Sequence, residues 1–289
     1  MLEHTVSRTA TKIARMGAYF SAHPLYGPLC PEGMGEMNRR LLEPIGVLKP
    51  WHGRVYRSAA FEATVRATDR VLGPGYLIHF PIRKRFMDEQ VREGADSGCT
   101  QLLVLGAGLD SLALRWTDRL RCAELDHPAT AGAKQAATRL AGLNDELIQV
   151  AVDLGVKTVG QALEGTGWDT SEPTIIIAEG LLMYLPQEAV EALFRGVAAA
   201  VGPGSRFAFS WLPEDADGQV LLDPVTRLLV KLGGEPMKWS TRLGRLGPLV
   251  ERNGWTLQPQ VDLHARFLVG TALSDQPLTP NEQFSVATC

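Results

Sequence analysis

Cysteine is scarce in this chain: Cys30, Cys99, Cys122 and Cys289 are its four, and no two stand in a C-x-x-C pair. That scatter argues against a zinc site and against a disulfide framework, and it suits thiols kept reduced in a cytosol. No run approaches the roughly eighteen consecutive apolar residues of a membrane-spanning helix. Neither sign of charge dominates, with 29 Lys+Arg against 32 Asp+Glu, so no nucleic-acid or polyanion partner is announced. The start Met1-Leu-Glu-His-Thr5 reaches polar residues before any long apolar run, unlike a signal peptide. The expectation is a soluble cytoplasmic protein with a small-molecule substrate and no metal, nucleic-acid or membrane partner. The sequence is silent on oligomeric state.

What the chain does have is Gln101-Leu-Leu-Val-Leu-Gly-Ala-Gly-Leu-Asp110. The apolar run Leu102 to Leu105 reads as a strand buried on both faces of a parallel sheet. Gly106-Ala107-Gly108 then lets the backbone approach a ligand with no Cβ in the way, and a helix from about Ser111 would aim its free N–H groups at the same place. Cys122-Ala-Glu-Leu-Asp126 reads as a second strand ending in a carboxylate about twenty residues past the glycines, where a nucleotide ribose is commonly held. The pairing suggests an adenosine-containing cofactor. A dinucleotide fingerprint would need a third glycine at position 111, and Ser111 stands there, which counts against NAD.

Two organisational regions follow from the patterns. Residues 1 to about 97 show helical periodicity at Thr5 to Phe20, Met37 to Leu42, Phe61 to Leu72 and Arg83 to Glu93, with no strand pattern, and read as a helical cap. From 98 to 289 strands and helices alternate. The strands are expected at Leu102–Leu105, Cys122–Asp126, Leu147–Val152, Thr174–Ala178 and Arg206–Trp211. Two closing strands at Trp255–Asp262 and Ala265–Ala272 would pair antiparallel. Residues 213 to 248, with a helical piece at Pro224 to Leu232, read as a lid insertion, and the tail from Ser274 as loose.

Each candidate residue has a plainer reading beside it. Gly106 and Gly108 could be turn glycines, and Asp126 a helix cap for the segment entered at Pro128. Asp153, after the third strand, could cap a helix or accept an adenine amino group. Glu179 ends the run Thr174 to Ala178 and either caps a helix or faces a crevice at the strand ends. Arg83, Lys84 and Arg85 could all be surface cations, Tyr184 could simply pack, and His79, His127 and His264 read as structural.

Four segments together carry a resemblance. Arg83-Lys-Arg-Phe-Met-Asp88, Gln101 to Asp110, Glu124-Leu-Asp-His-Pro128 and Ala178-Glu-Gly-Leu-Leu-Met-Tyr-Leu185 resemble the leucine carboxyl methyltransferase family, a branch of the class I S-adenosylmethionine-dependent methyltransferases. The likeness runs from Thr9-Ala-Thr-Lys12 to Asn253-Gly-Trp255. It implies an α/β, Rossmann-like fold with a mostly parallel seven-stranded sheet, an antiparallel last strand and an N-terminal helical cap. It also implies S-adenosyl-L-methionine as cofactor. Arg83 matches the arginine for the cofactor's methionine carboxylate, and Gly106, Ala107 and Gly108 pass beneath that end. Asp126 matches the ribose carboxylate, Asp153 and Leu154 the adenine pair, and Glu179 the acid facing the methionine amino group. Lys12 is similar to an N-terminal basic residue of the family, with spacing off by about one. Lys84 and Arg85 are expected on the surface.

The expected reaction is methyl transfer to an oxygen, foremost a carboxylate of a small metabolite. Such an acceptor is already ionised at neutral pH, which fits the lack of a nucleophile–base pair in the sequence. A hydroxyl acceptor would need a base, with His79, His127 or Tyr184 to consider; no catalytic residue is assigned, and Tyr184 is the pocket candidate. A protein C-terminal carboxylate as acceptor, a non-catalytic cofactor-binding protein and an NAD-dependent oxidoreductase are the alternatives.

Overall fold

The structure is a computed structural model that describes residues 8–73, 75–143, 146–222, 237–279 and 281–289. Its centre is a seven-stranded sheet in the order β3-β2-β1-β4-β5-β7-β6. The strands are β1 Gln101–Leu105, β2 Arg121–Asp126, β3 Ile148–Ala151, β4 Thr174–Ala178, β5 Arg206–Trp211, β6 Thr256–Leu257 and β7 Gln283–Thr288. β1 to β5 are parallel, and β7 runs antiparallel to both β5 and β6. The order reverses between β1 and β4, where an open α/β sheet offers its ligand crevice.

Both faces of the sheet are covered, which explains the unbroken apolar runs in β1 and β4. Successive residues point to opposite sides. Leu103, Leu105, Ile176, Ala178, Phe207 and Phe209 join one core with helices α7 Val159–Leu163, α8 Gln187–Ala198 and α9 Leu243–Glu251. Leu102, Val104, Ile175, Ile177 and Ala208 join the other, against Ile82, Phe86, Met87 and Val91 of helix α5, Tyr76–Asp96. Each such large side chain is worth roughly 1.5–3 kcal/mol when fully buried. The contact is close: a Cβ on Gly94 of α5 would lie 2.4 Å from Ile175.

Before α5 come α1 Arg8–Ala22, α2 Met34–Leu42, α3 His52–Tyr56 and α4 Ala59–Leu72. Gly17 lets α1 and α2 touch, since a Cβ there would meet Asn38 at 2.5 Å. Ser58 caps α4 by accepting from the Phe61 N–H at 3.2 Å. Helix α6, Pro128–Leu140, links β2 to β3.

Three expectations fail in the second half of the chain. The segment after the glycines is a three-residue 3-10 turn, Ala113–Arg115, and no longer helix follows Ser111. Asp110 caps the Leu112 N–H at 2.7 Å, and Arg115 and Trp116 are then drawn off to Asp88. One turn is too short to carry a useful dipole. The stretch Ala265 to Ala272 is no strand: Asp262 accepts from the Ala265 N–H at 2.9 Å and starts a short helix α10, Leu263–Phe267. The last strand comes from the tail expected to be loose. β7 pairs with β5 over six residues, buries Phe284 and Val286 in the α5-side core, and accepts the Trp211 indole N–H on Ser285 at 2.9 Å. The helical piece expected at Pro224 to Leu232 lies outside the described residues.

Candidate functional site

At the C-terminal end of β1 the chain turns through Gly106 and Gly108, with φ of 66° and 56°. Both conformations suit glycine. The turn is walled closely: an added Cβ on Gly106 would lie 3.0 Å from Leu181, and one on Gly108 would lie 3.5 Å from the Ala10 methyl of α1. The N-terminal helix therefore lies over the glycine turn. Lys12, two residues further along α1, is exposed.

Asp126 closes β2 beside this turn. Its two oxygens accept the N–H groups of Gly108 and His127. Burial raises its pKa, and those two N–H groups pull the other way. Asp126, Ala107 and Gly108 share a water-sized cavity of about 10 Å³ with Glu124, Lys134 and Gln149. Beneath it Lys134 and Glu124 form an ion pair at 2.6 Å, both almost wholly buried, with Gln149 as a further partner of the carboxylate. Burial raises the Glu124 pKa despite Lys134. Asp153, after β3, is exposed and turned to its own loop, accepting from the Gly155 N–H at 2.8 Å, while Leu154 packs on the core.

Across the switch point, α5 delivers two cations to three carboxylates. The Arg83 guanidinium lies 2.8 Å from Glu179 and 2.9 Å from Glu282. Lys84 is only 6% exposed. Its ammonium bridges Asp110 at 2.5 Å and Glu179 at 2.6 Å, tying the loop after β1 to the loop after β4. Lys84 is thus no surface cation. Arg85 is the one that faces outward, pairing with Glu89 at 3.2 Å. Burial alone would raise the Asp110 pKa, but Lys84 outweighs it and holds that carboxyl below the usual range. The same contest at Glu282, between burial on one side and Arg83 and His79 on the other, also ends in a lowered pKa.

The sequence reading missed Lys84, Asp110, Glu124, Lys134 and Glu282. Asp110 stood inside the quoted glycine motif, and Lys134 falls ten residues after Glu124 on the next helix. Those two placements were the available signals. Tyr184 sits in the 3-10 turn Leu182–Tyr184 after β4, half-buried, where residues 238 and 239 fold back to donate N–H groups to the Met183 carbonyl. His79 lies near Glu282 at 3.3 Å and stacks on Phe284. His127 is the N-cap residue of α6. His264 lies within α10. Among the described residues no group of three or more His, Cys, Asp or Glu side chains could hold a metal, and no helix is long and apolar enough to cross a membrane.

A surface depression of about 600 Å³ around Gly165, Gly167 and Trp168 lies elsewhere. It belongs to the loop entering β4, beside the start of β1, where Gln101 donates to the Asp169 carbonyl at 2.7 Å. That is the wrong end of the strands for the ligand crevice of an open α/β sheet.

The sequence model of the leucine carboxyl methyltransferase family matches residues 37–198, more than half of the chain. The chain belongs to this family. A curated protein of Streptomyces avermitilis, provisionally named an S-adenosyl-L-methionine-dependent methyltransferase, is 41% identical over 133 residues, covering 45% of this chain and 47% of that one. A protein of Mycolicibacterium smegmatis with the same kind of name is 38% identical over 158 residues, covering 53% and 52%. The chain thus spans about half the length of the curated relatives it matches. Among solved structures, a provisionally assigned methyltransferase from Thermobifida fusca superposes with a TM-score of 0.55 at 18% identity, covering 80% of this chain and 88% of that one. A DUF574 family protein from Streptomyces avermitilis gives 0.57 at 16% identity, covering 86% and 95%. These likenesses bear on the fold, and they agree with the seven-stranded sheet. The family's matched segment takes in the glycine turn, Asp126, Glu179 and the Arg83–Lys84 pair, so the charged cluster lies wholly within it apart from Glu282.

Proposed function

We propose that this leucine carboxyl methyltransferase family member is an S-adenosylmethionine-dependent methyltransferase that forms a methyl ester on a carboxylate of a small, secondary-metabolite type molecule. The observation that carries the reading is the meeting, at one switch point, of a glycine turn, a strand-end carboxylate at Asp126 and a cation–anion pair at Arg83 and Glu179. The donor set suits the cofactor. Asp126 offers a charged acceptor for ribose hydroxyls, while Arg83 and Glu179 match the opposite charges of a zwitterionic amino-acid end. Asp153 and Leu154 would hold the adenine, Gly106, Ala107 and Gly108 would let the backbone approach, and Lys12 is the outlying candidate. In this reading residues 1–97 act as a helical cap and 98–289 as the methyltransferase domain, with 213–248 as its lid.

When bound, the cofactor supplies a methyl group on a positively charged sulfur. The chain's part is alignment and exclusion of water. An acceptor carboxylate, with an ordinary pKa of about 4, is ionised at neutral pH and asks for no base. α1 over the glycine turn would shield that side from water, and Tyr184 on the loop after β4 would be the residue to touch the acceptor. One observation favours a hydroxyl acceptor as the second reading. The His79 ring lies 3.3 Å from Glu282 through Nε2 while its Nδ1 is buried with no hydrogen-bond partner among the described residues, as in a base oriented by a carboxylate.

Calorimetric titration with S-adenosylmethionine and its demethylated product tests the cofactor: no heat from folded protein would sink the reading. Transfer of labelled methyl to small carboxylic acids, small alcohols and phenols, and proteins then separates the acceptors. Base-labile label on the acids supports the ester, and base-stable label on alcohols or phenols supports the second reading.

A further inference from the structure

Five ionisable side chains meet behind the switch point: Arg83 and Lys84 against Asp110, Glu179 and Glu282. Counted by themselves, these five carry two positive charges and three negative ones, a sum of minus one. The carboxylates are not equally provided for. Asp110 and Glu179 share Lys84, and Glu179 also touches Arg83. Glu282 has its share of Arg83, the His79 ring and the Ser210 hydroxyl, yet among the described residues its Oε1 is buried with no hydrogen bond of good geometry. Glu282 itself is 8% exposed. A largely enclosed cluster with a net negative charge is costly unless positive charge completes its surroundings.

The cofactor of the proposed function would supply that charge. Its amino-acid end carries one ammonium and one carboxylate and changes nothing in the sum, whereas its sulfonium adds one positive charge. Cluster and cofactor together are neutral before methyl transfer and minus one after it.

We infer that Glu282 is a specificity-determining residue that makes this site favour the charged sulfonium cofactor over its neutral thioether product. The inference rests on the proposed function and deepens it. Each turnover would leave the cluster unbalanced and so promote exchange of spent cofactor for fresh. At a separation on the order of 10 Å and an effective dielectric near 20, one such charge changes an equilibrium by on the order of tenfold.

The test compares dissociation constants of the full chain for S-adenosylmethionine, for the demethylated product, and for an analogue bearing a protonated amine in place of the sulfonium methyl. Wild type should bind both charged ligands more tightly than the thioether. In Glu282→Gln, shown folded by its melting curve, the product-to-cofactor ratio should fall about tenfold, through lost affinity for the charged ligands alone. Lys84→Met, which deepens the negative balance, should raise the ratio. Equal weakening of all three ligands in Glu282→Gln would make Glu282 merely structural and overturn the inference. Should neither variant fold, the wild type still decides, because a thioether bound as tightly as both charged ligands overturns it. Failure of wild type to bind any of the three ligands would instead remove the proposed function, and this inference with it.

Discussion

Lys134 on α6 and Glu124 on β2 form an ion pair at 2.6 Å, both almost wholly buried, bordering the same small cavity as Asp126. Removing one partner strands the other's charge, which costs roughly 3–5 kcal/mol, whereas replacing both by neutral groups costs far less. Lys134→Met should therefore lower stability by about that amount in urea titrations. Glu124→Gln combined with Lys134→Met should recover most of the loss. The pH dependence has a definite sign. Burial already raises the Glu124 pKa, so the folded protein takes up a proton more readily there than the unfolded chain, and its contribution to stability falls as pH rises through the raised value. The Lys134→Met deficit should shrink as pH is lowered from 8 toward 5. A deficit constant over that range would mean Glu124 is not the stranded charge.

Asp110 and Glu282 carry the opposite sign, since Lys84 and Arg83 respectively overcome burial and lower their pKa values. Carboxyls depressed on folding stabilise fully above the ordinary carboxylate range, and that stability is lost as pH falls below it. The urea midpoint of wild type should accordingly be flat near neutrality and drop steeply below about pH 4. Replacing Asp110 by Asn should lower the plateau and flatten the acid limb. An acid limb as steep as wild type's would place the proton-linked loss elsewhere.

Gly106 offers a check on the turn. Its φ of 66° and the 3.0 Å approach of Leu181 to any Cβ there both resist a side chain. Gly165, with a φ of 73° and nothing within 4 Å of a Cβ, meets only the backbone cost. Gly165→Ala should lose about 1–2 kcal/mol from the left-handed backbone alone. Gly106→Ala should lose distinctly more. Equal losses would show that Leu181 yields freely and the turn is not tightly walled.

The sheet's parallel half was legible from two patterns: burial on both faces gives the apolar run of Thr174–Ala178, and alternation marks Arg206–Trp211, and both strands stand where the sequence places them. β7 was not legible. In Gln283 to Thr288 the residues facing one core are Phe284 and Val286, and between them Ser285 is buried by a side-chain hydrogen bond that no periodicity announces. The helix expected after the glycines failed because Asp110, Arg115 and Trp116 bend the chain into a single turn. Arg83 was reached by motif likeness, and its neighbour Lys84 was set aside, because burial of a lysine depends on carboxylates that arrive from other strands. Glu282 shows the same limit more sharply, since it follows from pairings distant in sequence.

Arg83 and Arg85 give the most direct test of how α5 meets the cofactor. Both are arginines on the same helix, yet Arg83 is largely enclosed between Glu179 and Glu282 while Arg85 is half-exposed and pairs with Glu89. If Arg83 also grips the cofactor's carboxylate, its planar fork matters, and lysine, a point charge on a flexible stem, is a poor replacement. Arg83→Lys should then weaken S-adenosylmethionine binding by roughly 1.5–3 kcal/mol, the range for hydrogen bonds to charged groups. Arg85→Lys should change it little, because exposed pairs contribute at most about 1 kcal/mol to stability and Arg85 faces away from the cluster. A ligand analogue lacking the carboxylate supplies the control, and should bind wild type and Arg83→Lys with similar affinity. This control separates loss of a ligand contact from collapse of the Glu179–Arg83–Glu282 network, which would weaken both ligands together. Sensitivity at Arg85 with silence at Arg83 would turn the helix the wrong way round for the proposed site, and silence at both would leave α5 out of cofactor binding.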